Sequence, residues 1–116
     1  GVVARVRWNT RGAIRIANRS MREGCWEIMR EVLRESINEA PKDTGYLRST
    51  AEMYETATSI VIRYTAPYAA EQHENLFYRH KIGKAKYLED PYNRIVPRAI
   101  KRRLGPKVRQ DLRNSR

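Results

Sequence analysis

The sequence predicts an α+β domain: a mainly antiparallel sheet of about 3–4 strands, a long N-terminal helix packed across one face, and a C-terminal helix. Three observations carry this. Residues 2–8 alternate apolar and polar. Residues 13–38 place apolar side chains at steps of three and four. Residues 53–65 hold two short β-branched runs, with helical patterns both before and after them.

In order, Val2, Ala4, Val6 and Trp8 fall on one side of an extended chain and Val3, Arg5 and Arg7 on the other, which predicts a half-buried strand. Asn9-Thr10-Arg11-Gly12 breaks it and offers Thr10 as a helix N-cap. Over about 13–38, Ile14, Ala17, Met21, Cys25, Ile28 and Val32 make one apolar stripe, widened by Trp26, Met29, Leu33 and Ile37. Glu27/Arg30 and Glu31/Arg34, three residues apart, predict a solvated back. Pro41 stops the helix, because its ring clashes with the preceding turn.

Residues 53–58 and 59–65 then read as two strands, and SIVIRY is the richer in β-branched side chains. Pro67 ends that run, and a short helix is expected over 68–74. Residues 76–81, LFYRHK, read as a further strand, broken by Gly83. Asp90-Pro91 opens the last helix as N-cap and first residue. Tyr92, Ile95, Val96, Ala99, Ile100 and Leu104 form its apolar face. Pro97 is expected to kink or split it, and Gly105-Pro106 to end it. The order is β-α-β-β-α-β-α. It makes a single domain over 1–104, with a basic arm over 105–116 that offers only Val108 and Leu112 to a core.

The 116 residues fit one domain. Charged residues are 32% of the chain, above the ordinary figure of about 25%, which suits a soluble globular protein. No apolar run approaches the roughly 18 residues of a membrane span. Gly1-Val2-Val3 has no basic region leading into an apolar core, so no secretory signal is expected. Cys25 is the only cysteine. It forms no disulfide within the chain and no cysteine-based zinc site, and its apolar setting makes it a small buried hydrophobe in a reducing compartment.

The net charge is +11, distributed as +5 over residues 1–24, −2 over 25–93 and +8 over 94–116. A near-neutral body with basic ends points to an anionic partner, either an acidic protein or a polyanion. Arg98, Lys101, Arg102, Arg103, Lys107, Arg109, Arg113 and Arg116 are the candidate residues at the C-terminal end. An acidic groove on a neighbouring protein is the preferred target over DNA. Arg5, Arg7, Arg11, Arg15, Arg19 and Arg22 fit a solvated face, an acidic-partner face or a phosphate-facing face.

Asp43-Thr44-Gly45 spells the aspartic-protease triplet. Those enzymes place each Asp after apolar strand residues and pair two carboxylates on one proton. Here Asp43 follows Pro41-Lys42 and a long helix, so the triplet reads as a turn, with Gly45 supplying positive φ. His73 and His80, with Glu71, Glu74 or Glu89, match no metal-ligand spacing. The serines lack a nucleophile-elbow context, and no glycine-rich phosphate loop is present. No catalytic residue, metal or cofactor is expected.

The order of short motifs resembles the neck and tail-completion proteins of tailed bacteriophages, also labelled minor capsid or head–tail joining proteins. The resembling residues are Pro41, Asp43-Thr44-Gly45, Leu47, Arg48 and Ser49 after a long first helix. Tyr64, Pro67-Tyr68-Ala69 and His73-Glu74 follow, and YLEDPYNR at 87–94 opens the last helix. The resemblance covers roughly residues 13–104. The chain departs from the pattern at Asn75 and Leu76, at Pro97 and in the basic tail.

The resemblance implies a structural virion protein, assembled in the host cytoplasm. Such a protein is a homo-oligomeric ring, commonly a hexamer, between head connector and tail, with neighbouring ring proteins as partners and transient contact with packaged DNA. It also implies that Asp43, Thr44, Gly45, Leu47 and Arg48 form a subunit or ring contact loop. The alternative reading of the residues is a basic nucleic-acid-binding module.

Overall fold

The computed structural model describes residues 2–9, 12–41, 45–67, 69–74 and 86–115. Its α+β architecture is a three-stranded antiparallel sheet under a layer of two long helices. The elements are β1 (Val2–Arg7), α1 (Arg15–Glu39), α2 (Tyr46–Ser49), β2 (Ala51–Glu55), β3 (Ser59–Tyr64), α3 (Ala69–Glu74), α4 (Glu89–Ala99), a π-helical turn (Ile100–Leu104) and α5 (Gly105–Asn114). The molecule is elongated, 54 × 24 × 19 Å.

β3 is the central strand, in the order β1-β3-β2. Val2 pairs with Tyr64, Ala4 with Ile62 and Val6 with Ile60, while Ala51 and Met53 meet Tyr64 and Ile62 from the other side. Because side chains alternate across a strand, this register puts Val2, Ala4, Val6, Met53, Ile60, Ile62 and Tyr64 on one face. Cys25, Ile28, Met29 and Val32 of α1 close over that face, joined by Tyr87, Leu88, Val96 and Ala99 from the C-terminal region. The outer face carries Val3, Arg5, Arg7, Glu52, Tyr54 and Arg63, with the Arg63 guanidinium 5.0 Å from the Tyr54 ring centre. Two polar groups of α1 reach across to the hairpin: Trp26 Nε1 and Arg22 Nη1 both donate to Glu55 Oε1, at 2.6 and 3.3 Å.

The strands predicted over 2–8, 53–58 and 59–65 and the long helix are present, with boundaries shifted by up to three residues. The strand expected over 76–81 lies outside the described residues, as does Thr10. The first helix starts at Arg15, and Ile14 before it makes no side-chain cap.

Two expectations need correction. The back of α1 is not a row of three-residue pairs. Glu31 pairs with Arg103 at 2.8 Å, and Arg30 lies over the Trp26 ring at 5.8 Å. The C-terminal helix runs beside α1 and offers closer cations than α1's own next turn.

The last helix also fails to end at Gly105-Pro106. It runs on through the π-helical turn into α5, which lies along the N-terminal half of α1. A proline lacks an N–H, and its ring crowds the carbonyl four residues back. The wider π turn over Ile100–Leu104 loosens the ladder at Arg102, the carbonyl that Pro106 would crowd. Residues 105–114, expected to be an arm, are therefore a docked helix.

Gly24 explains why α5 docks so closely. A Cβ there would stand 2.5 Å from Leu104 Cδ1. The missing side chain lets Leu104 press against the α1 backbone. One turn away, Ser20, only 2% exposed, donates to Asp111 Oδ2 at 2.6 Å. Lys107 Nζ bridges Asp111 at 3.1 Å and Glu23 at 3.3 Å.

Candidate functional site

Three groups of residues carry the polar chemistry: the junction after α1, a clasp at the start of α4, and the cations of the C-terminal helix.

At the junction, Gly45 has φ 78°, the left-handed region that a residue with a Cβ avoids. It opens α2, which turns the chain from α1 toward the sheet. Leu47 is buried at 4% exposure. Arg48 donates from Nε to the Ala40 carbonyl at 2.8 Å and from Nη2 to the Asn38 carbonyl at 2.9 Å. The last turn of α1 contains no basic residue, so Arg48 satisfies carbonyls that the helix leaves without partners. Two of the five predicted loop residues are thus committed inside the fold. Asp43 and Thr44 lie outside the described residues.

The clasp is built around His73, 5% exposed at the end of α3. Its Nε2 accepts from the Glu89 backbone N–H at 3.2 Å. That nitrogen is therefore unprotonated, and Nδ1–H donates to Glu74 Oε1 at 2.9 Å. The Lys86 ammonium bonds the other Glu74 oxygen and lies 3.2 Å from Glu89 Oε2. These contacts lower the Glu74 carboxyl pKa, chiefly through Lys86 and then His73. Lys86 has φ 58° and donates its own N–H to the His73 carbonyl at 2.7 Å, so several bonds hold a strained backbone in place.

Beneath the clasp, Tyr87 is fully buried and its hydroxyl donates to the Ala69 carbonyl at 2.7 Å. Its ring meets both Tyr64 and His73 edge-on at 4.9 Å.

His73, Glu74 and Glu89 bring ligand-type atoms within 4.8 Å of one another. The donor set does not suit a metal ion. Both imidazole nitrogens are occupied, and the two carboxylates already share the ammonium of Lys86. Beside the clasp lies an open cleft of about 650 Å³, bordered by Val3, Arg5, Lys86, Glu89 and Tyr92. Tyr92 donates its hydroxyl to the Arg5 carbonyl at 2.8 Å on the outer edge of β1.

Three further groups with nucleophilic atoms, Ser36, Cys25 and Tyr64, are enclosed. Ser36 is fully buried and shares a 2.7 Å hydrogen bond with the Tyr64 hydroxyl. Burial pushes Cys25 up to about 11 and Tyr64 up to about 12.

The C-terminal helix sorts its cations into two sets. Arg94, Arg103 and Lys107 reach carboxylates of α1: Glu39 at 2.8 Å, Glu31 at 2.8 Å and Glu23 at 3.3 Å. Arg98, Lys101, Arg102, Arg109 and Arg113 are exposed and have no carboxylate within 4.0 Å among the described residues. Arg116 lies outside the described residues.

Sequence reasoning named eight of the nine basic positions from 94 onward, omitting Arg94, and not this division, which depends on how the helix docks. It missed Gly24, Ser20 and Asp111. The signal for Gly24 was present: a glycine inside a long helix costs about 1 kcal/mol against alanine and calls for a packing reason. Among the described residues, no helix is long and apolar enough to cross a membrane. No family model matches the chain, and no curated protein or solved structure matches it.

Proposed function

We propose that this chain is a structural ring subunit of a bacteriophage neck, joining head connector to tail, and that it works by assembly and not by catalysis. The observation that carries the reading is where the resembling motifs fall. Leu47 enters the core and Arg48 caps α1. Tyr64 bonds Ser36, and His73 and Glu74 form the clasp with Lys86. Tyr87 and Leu88 fill the space under α4. The motif residues are the ones that fasten a long helix onto an antiparallel sheet, as expected if they mark a shared architecture.

A second support is the charge division. A ring subunit meets different surfaces on its two sides. One side of the C-terminal helix is neutralised within the subunit and the other keeps its charge exposed, so the two sides are different surfaces.

The test is imaging of purified phage necks, together with the isolated protein. The reading expects the chain in a closed ring at the head–tail junction. The free protein stays monomeric until a neighbouring ring is supplied. Absence from particles, or one isolated copy in each particle, sinks it.

A further inference from the structure

We propose that the outer face of the C-terminal helix binds the phosphate backbone of duplex nucleic acid without reading its sequence. Arg98, Lys101, Arg102, Arg109 and Arg113 form this face. It stands apart from the neck reading and can fail alone.

Four observations support it. First, the charge has no carboxylate partner among the described residues. The same helix pairs Arg94, Arg103 and Lys107 with α1 carboxylates and leaves Arg98, Lys101, Arg102, Arg109 and Arg113 exposed without one there. Second, a second copy of this chain is a poor source of countercharge. Glu23, Glu31, Glu35, Glu39, Glu52, Glu55, Glu74, Glu89 and Asp111 already sit in ion pairs.

Third, the chemistry favours phosphate over an acidic protein. Four of the five are arginines, whose fork matches phosphate oxygens. Protein interfaces instead deplete charge at their centre in favour of apolar anchors. Arg98 and Arg102 stand four residues apart, roughly 6 Å along the axis, and line a shallow groove with Arg94, Arg103 and Glu31, whose carboxylate is paired with Arg103.

Fourth, the face offers little to bases. No aromatic residue lies between Arg94 and Arg113, so there is nothing for bases to stack on. Its two amides are engaged within the helix: Gln110 donates to Asn114 at 3.2 Å and accepts from Arg113 at 3.0 Å. That favours duplex over single strand. The preference for an acidic protein at the sequence level treated the charge as one flexible arm. A docked helix with a fixed row of cations is a different object, since weak, salt-screened contacts of this kind leave DNA free to slide.

The experiment titrates the full chain against labelled duplexes of two unrelated sequences, about 30 base pairs long, between about 50 and 200 mM salt. Equal binding of both is expected, with log K falling linearly against log salt. Arg98→Gln/Arg102→Gln should reduce the slope by about 1.8, two phosphate contacts at roughly 0.9 each, with an unchanged thermal melt. Should that variant misfold, Arg109→Gln/Arg113→Gln on α5 tests the same face. Three results overturn the proposal: no duplex binding at the lowest salt, a slope unaltered in the folded variants, or equal or tighter binding of single strand or of poly-glutamate.

Discussion

The Tyr64 hydroxyl is buried and depends on one partner, Ser36, 2.7 Å away. Ser36→Ala leaves that hydroxyl without a bond, at a cost of about 1–3 kcal/mol, and denaturant unfolding should show it. Gly45→Val forces a β-branched residue to φ near 78° and should lower stability by about 1–2 kcal/mol, read in the same assay. Cys25, with its thiol pushed up to about 11 by burial, should resist iodoacetamide at about pH 8 and react only after denaturation.

Asp111 gives a pH dependence. The Ser20 hydrogen bond and then Lys107 hold its carboxyl pKa below the usual value. A depressed folded pKa means the contribution is present above the ordinary carboxylate range, near about 4. It is lost as pH falls through the folded value. Amide protection in residues 105–114 should therefore hold near neutrality and fall in acid.

At the scale of elements, α5 is held to α1 by a close approach at Gly24 and a small polar cluster around Asp111. Gly24→Leu should fill the space that Leu104 Cδ1 occupies and undock α5, while the sheet and its α1–α4 cover remain. Protease sensitivity confined to residues after about 104, with cooperative unfolding retained, is the expected pattern. Most of the element order was legible in the sequence because periodicity reports burial. The 2–8 alternation and the 13–38 stripe each name a buried face. The continuation past Gly105-Pro106 was not legible, since local rules treat each proline as a stop. Only the partner helix, with Ser20, Glu23 and Gly24 waiting for Asp111, Lys107 and Leu104, makes the continued helix favourable. The junction shows the same limit. The turn at Gly45 is written in the triplet itself, while the use of Arg48 on the Ala40 and Asn38 carbonyls needs three dimensions.

At the scale of the whole molecule, removing residues 106–116 should leave a cooperative domain of lower stability, because Ser20 loses Asp111 and Glu23 loses Lys107. The neck reading expects such particles to fail at head–tail joining, scored by counting tailed particles. Tails that join normally on particles that leak DNA would assign the helix to DNA alone. The ties that close the molecule also set its timing. Val2 pairs with Tyr64, the Arg5 carbonyl receives Tyr92, and Ser20 waits for Asp111, 91 positions later. A chain emerging from the ribosome therefore carries its first strand unpaired until Tyr64 has been made, and the N-terminal half of its first helix uncovered until Asp111. Native contacts of such long sequence separation slow folding. A product stalled before Tyr64 then presents an unpaired first strand and a helix with an uncovered apolar face, the kind of surface on which unfinished chains aggregate.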